Sequence, residues 1–153
     1  MTQIVNREPI FAALWNLLLT VPPPPGMTWA LRGRRLLHWT QCPSQPAMFL
    51  QEQHQEVDQP TFGTPQWKWH AIVWIYFKTD NSLTQDSYPD LVINQMLDAV
   101  ESTLRTTADL PLQTLGNMQG LLHCYIKGTI AFDAGVLDKQ AVIAIPIELI
   151  VGA

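Results

Sequence analysis

The feature of this sequence that most constrains its fold is a pair of strand-like runs in the last third. In the first run, from Leu122 to Phe132, apolar and polar residues alternate, which is typical of a strand with one buried face. A short polar turn leads to the second run, from Val142 to Val151, in which one face is wholly apolar and the other also carries apolar residues. Such a strand requires cover from two directions. One source of that cover is another protein chain.

Size and composition favour a single domain, residues 1–153, that associates with itself. A chain of 153 residues can bury a substantial core without a metal or a disulfide. Charged residues account for 14% of the chain and hydrophobic residues for 47%, whereas the surface of a small monomer normally carries about a quarter or more of charged residues. The low charge therefore predicts self-association. The formal net charge of −4 argues against extensive binding to nucleic acid.

The N-terminus and the cysteines bear on the compartment. No signal-peptide pattern is visible, and the apolar run from Ile10 to Leu19 is shorter than the roughly 20 residues that span a bilayer. Cys42 and Cys124 lack the spacing of a zinc site or a disulfide framework. We therefore expect a soluble protein made in the cytoplasm, with two free thiols, no cofactor and no membrane association.

The order of elements predicts an α+β fold. Asn6 can cap a first helix that a proline tract ends, and apolar spacings predict a second helix from Leu91 to Thr107. We interpret Met27–Thr40 as an extended arm, and Ala47–Val57 with Trp67–Lys78 as a long β-hairpin. The expected architecture is a mainly antiparallel sheet with two main helices packed on one face and a projecting β-hairpin.

The outer half of the first hairpin strand is polar on both faces, from Gln51 to Glu56. Strand alternation would place Glu52, His54 and Glu56 on one face, and this end is expected to project into solvent or into a partner's polar surface. Alternate strand residues stand roughly 6 to 7 Å apart, so one metal ion would need a ligand from another element. We therefore predict no metal site there. We interpret the hairpin arm from Gln51 to Gln66 as an assembly element.

The sequence offers no constellation for catalysis. It contains no GxSxG elbow, P-loop, GxGxxG fingerprint or HExxH motif. His123 and Cys124 are neighbours in a predicted strand, so their side chains point to opposite faces and cannot form a Cys-His pair. We therefore predict a protein that is not an enzyme. A monomeric peptide-binding module built on the proline tract or on an exposed strand edge stays open as an alternative.

Three arginines, Arg32, Arg34 and Arg35, form a local concentration of positive charge. They could form an exposed basic turn, line a channel that faces phosphate, or pair with acidic residues such as Glu52 and Glu56 of a neighbouring subunit. The sequence leaves these three alternatives open.

The remaining pattern is one of order and spacing among short segments. In chain order these segments are Arg34-Arg35-Leu36, His38-Trp39, Gln45-Pro46-Ala47-Met48-Phe49, Trp67-Lys68-Trp69, the helix from Leu91 to Leu104, Tyr125-Ile126-Lys127-Gly128 and Ala144-Ile145-Pro146-Ile147. Together they resemble the tail terminator, or tail-completion, proteins of tailed bacteriophages and prophages, a family of minor tail proteins. The resemblance extends over nearly the whole chain.

This resemblance implies a structural role in the virion tail, assembled in the cytoplasm of a bacterial host. Members of the family form hexameric rings that cap the tail tube, stop its polymerisation and present a surface to the head connector. The implied partners are further copies of the chain, the tail tube protein and the head-tail connector protein, with DNA passing transiently through the lumen. The three arginines, with Glu52, His54 and Glu56, are then candidates for the subunit interface or the lumen. A head-tail connector or stopper protein of similar size is the alternative.

Overall fold

The computed structural model describes residues 5–58, 60, 62–79, 89–106, 112–135 and 139–152. These residues form two α-helices and a sheet of six strands. The helices are α1 (Arg7–Leu18) and α2 (Pro89–Leu104), and the strands are β1 (Leu31–Gly33), β2 (Ala47–Asp58), β3 (Gln66–Lys78), β4 (Leu121–Ile126), β5 (Ala131–Asp133) and β6 (Gln140–Gly152).

The strands follow the order β1-β2-β3-β6-β4 across the sheet, and β5 also pairs with β6. β1 runs parallel to β2, whereas the other pairings between described strands are antiparallel. The prediction of an α+β fold with a mainly antiparallel sheet is therefore confirmed.

β3 and β6 form the centre of the sheet. They pair along their full length, from Gln66 opposite Gly152 to Lys78 opposite Gln140. The predicted β2–β3 hairpin is present, but β3 lies between β2 and β6 throughout, so only β2 reaches an edge. The hairpin is thus part of the main sheet and does not stand free of it.

One large hydrophobic cluster joins both helices to alternate residues of β3 and β6. Val73, Ile75, Ile143 and Ile145 are completely buried at its centre. The helices contribute Ile10, Phe11, Leu14, Leu18, Ile93, Met96, Val100 and Leu104. The packing of both helices on one face of the sheet stays a prediction. In the described part of the chain, neither helix combines the length and the apolar character needed to cross a membrane.

α1 packs against β3 because its apolar residues recur every three or four positions and form one stripe. Phe11 lies at the middle of this stripe and stacks on Trp69 of β3, with ring centroids 5.3 Å apart. Asn6 has the extended backbone conformation of an N-cap residue, although its side chain makes no capping hydrogen bond. The contact with Trp69 fixes α1 beside the outer half of β2, which pairs with the same part of β3.

The segment Met27–Thr40, interpreted as an extended arm, instead lies against the sheet. Part of it forms β1, and the side chains of Leu36, Leu37 and Trp39 pack on a second, smaller hydrophobic cluster. The Tyr76 hydroxyl of that cluster donates a hydrogen bond to the Leu37 carbonyl over 2.8 Å. The interpretation as an arm is wrong because these apolar side chains cover the half of the sheet's second face that carries Tyr76.

The long run from Leu122 to Phe132 is interrupted. It forms β4 and β5, which pair with different parts of β6 and are separated by residues 127–130. The apolar residues on the second face of β6 obtain partial cover, because Val142 packs on the smaller cluster whereas Ala144 and Ile150 stay half-buried.

Both cysteines are buried, and neither forms a disulfide. Cys42 belongs to the smaller cluster and Cys124 to the large core. Burial raises the pKa of the Cys42 thiol, and it raises the pKa of the Cys124 thiol to about 12. Because the thiolate is the reacting species, neither sulfur is activated in the folded chain.

We therefore expect both thiols of the native protein to react with an aromatic disulfide reagent at pH 8 at least tenfold more slowly than a free cysteine. Two thiols per chain should react promptly after unfolding in guanidinium. Release of the chromophore, followed over time with and without denaturant, measures both rates. Prompt reaction of either thiol in the native protein would contradict the burial of the cysteines.

Candidate assembly surface

A β-bulge divides β2 into two halves. The alternation of side chains between the two faces of the sheet is reversed from one half to the other. Glu52 lies opposite Ala71 of β3, and His54 lies opposite His70, so that β2 contains one extra residue between these two pairs. Neighbouring residues of β3 point to opposite faces of the sheet. Glu52 therefore faces the side on which α1 packs, whereas His54 and Glu56 face the other side.

The prediction that Glu52, His54 and Glu56 share one face is thus wrong. Strict alternation would have placed all three together, but the extra residue reverses the phase after Glu52. The two faces of the outer strand consequently carry two separate clusters of charge.

The cluster on the α1 side is centred on Arg34. Its guanidinium binds the carboxylate of Glu8 with both terminal nitrogens and also donates to Glu52 Oε2 over 3.0 Å. The hydrogen bond from Arg34 is the main cause that lowers the pKa of Glu8 below its ordinary value. Arg34 therefore joins the start of α1 to the outer half of β2.

Two further arginines extend this side of the surface. Arg7 donates from Nε to Gln55 Oε1 over 2.7 Å, and its guanidinium carbon lies 5.5 Å from the centre of the Trp69 ring. Arg32 donates to the carbonyl of Leu19 over 2.8 Å. Both arginines are exposed and yet bind groups of their own chain.

The structure distinguishes the three arginines that the sequence singles out. Arg34 pairs with Glu52 of its own chain. The sequence had left open a pair with Glu52 of a neighbouring subunit. Arg32 binds a backbone carbonyl, and Glu56 pairs with a histidine. Arg35 is exposed and has no ion pair within the described ranges. It is the arginine of the three that can bind another molecule without breaking a described contact.

The opposite face carries a row of polar side chains that crosses four strands, which we call the polar row. His54, His70, Glu148 and Tyr125 lie directly opposite one another on β2, β3, β6 and β4. The imidazoles of His54 and His70 stack with centroids 4.3 Å apart. His70 Nε2 lies 3.3 Å from Glu56 Oε2, and its Nδ1 lies 3.9 Å from Glu148 Oε2.

Glu148 is the buried anchor of the polar row. Its side chain is 3% exposed, accepts a hydrogen bond from the Tyr125 hydroxyl over 2.6 Å and lies 3.5 Å from Lys127 Nζ. Burial by itself would raise the pKa of Glu148, but the hydrogen bond from Tyr125 and the charge of Lys127 outweigh it and lower the pKa. Burial and the bond to Glu148 raise the pKa of Tyr125. Glu148 thus stays a carboxylate, satisfied from several directions.

Sequence reasoning missed this row, although one signal for it exists. Glu148 is the single charged residue of β6, and a buried charge requires partners. The partners themselves come from three other strands. Their assignment therefore needed the register of the sheet.

Two edges of the sheet are open for pairing. β1 covers β2 only as far as Phe49, so the outer side of β2 from Leu50 to Asp58 faces no other described strand. β4 and β5 form the opposite edge, and no further described strand pairs with either of them. Charged side chains along β2 are a common protection of an edge strand against indiscriminate pairing.

Exposed apolar side chains accompany these edges. Val57, near the end of β2, is 55% exposed, and Phe62 in the hairpin turn is 91% exposed. Leu122 on β4 and Phe132 on β5 are also exposed. Large apolar side chains in such positions are typical of contact surfaces when they cluster.

The comparisons with known proteins add no family to this geometry. No protein-family model matches the chain, and no curated protein matches it either. The features that bear on function are therefore the surface itself and the resemblance of the chain's segments.

Proposed function

We propose that this chain is a structural subunit of a bacteriophage or prophage tail. It acts as a tail terminator that forms a hexameric ring, caps the tail tube, stops its polymerisation and presents a surface to the head connector. Its partners are further copies of itself, the tail tube protein and the connector protein, and DNA passes transiently through the lumen. The proposed location is the virion tail, assembled in the host cytoplasm.

The observation that carries this proposal is the pair of open edges at opposite ends of one sheet. β2 and β4 expose different sequences, so an edge-to-edge contact between two copies joins unlike surfaces. A heterologous contact of this kind closes into a ring when the rotation between neighbours allows it. Main-chain hydrogen bonds would supply the attraction, and the side chains along each edge would fix the register.

The side chains at these edges would suit a partner surface that offers both apolar and charged groups. Val57 and Leu122 are exposed apolar residues on β2 and β4, and Arg35 is an exposed cation without a described partner. Charged residues make up only 14% of the chain, which agrees with a surface that is partly covered in the assembly. Among the three arginines, Arg35 is then the candidate to face the lumen or to contact a neighbouring subunit.

The open edge of β2 also favours a second candidate, a monomeric module that binds an extended peptide. The two candidates differ in mass, because a peptide-binding module stays monomeric whereas a terminator assembles. A head-tail connector or stopper of similar size differs from a terminator in what it binds, because it is the terminator that caps the tail tube.

We expect the purified chain to form rings, alone at high concentration or on tail tubes. Multi-angle light scattering over a wide concentration range measures the mass, and electron microscopy after incubation with tail tubes shows where the protein binds. Rings at one end of each tube would support a terminator. A strict monomer that also ignores tail tubes would refute this function.

A further inference from the structure

We propose that His54, Glu56 and His70 form a surface site for a divalent transition metal, with Zn²⁺ as the best-fitting ion. Each residue offers one ligand atom, and these atoms all lie within 4.8 Å of one another. Two imidazoles and one carboxylate suit zinc, nickel and copper, and are poor ligands for magnesium or calcium. The site lies on the open face of the sheet, away from the Arg34 cluster.

The β-bulge creates this arrangement. It places His54 directly opposite His70 on the neighbouring strand, where side chains are separated by about 4.5 to 5.5 Å at Cβ. Alternate residues of a single strand, such as His54 and Glu56, stand roughly 6 to 7 Å apart, so they need a ligand from the neighbouring strand to complete a site for one ion. His70 is therefore the ligand from another element whose absence made a metal site improbable from the sequence.

One pair of ligand atoms already has the spacing of a zinc site, whereas His54 has to rotate. Ligands bound about 2.0 to 2.2 Å from a tetrahedral zinc lie roughly 3.3 to 3.5 Å from each other. His70 Nε2 and Glu56 Oε2 are already 3.3 Å apart. His54 stacks on His70, so its ring nitrogens do not yet converge with those of His70. Because His54 is exposed, its side chain can rotate out of the stack and bring a nitrogen to the ion. Three protein ligands leave a fourth position for water or for a side chain of a neighbouring subunit.

Glu148 is placed to support His70 as a metal ligand. Metal-binding histidines almost always donate the second ring N–H to a carboxylate, a carbonyl or water, which fixes the tautomer and the ring orientation. Glu148 Oε2 lies 3.9 Å from His70 Nδ1, on the side away from Glu56. Tyr125 and Lys127 hold this carboxylate in place. The distance of 3.9 Å is longer than a hydrogen bond, so Glu148 would have to approach Nδ1 of His70 on metal binding in order to act as a positioning residue that directs Nε2 toward the metal.

The site would not be needed for folding. His54 and Glu56 are exposed, and the described core packs without them. Metal binding at this surface would instead stabilise the folded chain by mass action. Chelation should accordingly return the melting temperature to that of the metal-free protein without unfolding it.

Titration of the full chain with ZnCl₂, followed by isothermal calorimetry, tests the proposal directly. We expect saturable binding of one ion per chain and no response to MgCl₂. Each of His54→Gln and His70→Gln should weaken binding by about tenfold or more, and Glu56→Gln should weaken it less. The matched control is Glu52→Gln, because this carboxylate is four residues from Glu56 but faces the other side of the sheet. It should bind zinc as the unchanged chain does.

Glu148→Gln tests the positioning role separately. Loss of an outer-shell carboxylate typically weakens metal affinity by about 10- to 100-fold, and circular dichroism shows whether the variant is folded. Replacement of zinc by Co²⁺ should give visible absorption bands that disappear in His54→Gln and His70→Gln. Absence of saturable zinc binding, or affinity that is unchanged in both histidine variants, would overturn the proposal and leave the cluster as an ion pair between His70 and its two carboxylates.

Discussion

Replacement of Phe11 by alanine is expected to lower the free energy of unfolding by about 3 to 5 kcal/mol, the range observed for large aromatic side chains in well-packed cores. Phe11 is 1% exposed and stacks on Trp69 at the contact between α1 and β3. Removal of its ring would leave a cavity at the place where the helix is attached to the sheet. Urea denaturation followed by circular dichroism measures the loss.

The control for this experiment is Asn16→Ala in the same helix. Asn16 is exposed, so the change should alter the free energy of unfolding by about 0.5 kcal/mol or less. Equal effects of the two substitutions would show that α1 is not attached through Phe11. An intermediate loss in Phe11→Leu would show that volume, more than the aromatic stack, holds the helix.

The double change Glu52→Lys and Glu56→Lys should prevent assembly while the subunit stays folded. The two carboxylates are 48% and 62% exposed and pair with Arg34 and His70, and exposed ion pairs contribute about 0 to 1 kcal/mol each. The circular dichroism spectrum and the melting temperature should therefore change little. Two lysines on the open β2 edge, however, would change the charge presented to any neighbouring strand on both faces at once.

Asp98→Lys with Glu101→Lys provides a control with the same change of net charge. Both residues are exposed on α2, away from β2. This variant should form rings and bind tail tubes as the unchanged chain does. Unfolding of the β2 variant would assign the outer strand to the core, and normal assembly of the β2 variant would show that this edge makes no contact. Failure of both variants would point to net charge and not to the edge.

The periodic parts of the sequence predict the periodic parts of the structure well. Ile10, Leu14 and Leu18 fall on one helical stripe and are buried together in α1. Ile143 and Ile145 alternate with less buried residues in β6. In these elements, burial of one face fixes both the type of structure and its phase, so the pattern can be followed along the chain.

The phase of β2 beyond Glu52 could not be predicted in this way. Both faces are polar there, so no apolar pattern marks the position at which the alternation reverses. The polar row depends on that phase and on pairing between residues as distant in sequence as His54 and Glu148. The role of Met27–Thr40 was missed for a related reason, because its apolar residues are mixed with arginines and cover a small patch.

Because of the bulge, β2 contains one residue that is not paired with β3. Gln53 has no partner in the ladder, whereas Glu52 and His54 pair with consecutive residues of β3. A chain that lacked Gln53 would keep every other pair of the outer strand, and each side chain would keep its face. A single-residue gap at this position in a related sequence would therefore leave the hairpin intact, whereas a gap at the paired position Gln55 would move Glu56 to the opposite face of the sheet. Position 53 is thus a place in β2 where the loss of one residue would leave the pairing of the strand unchanged.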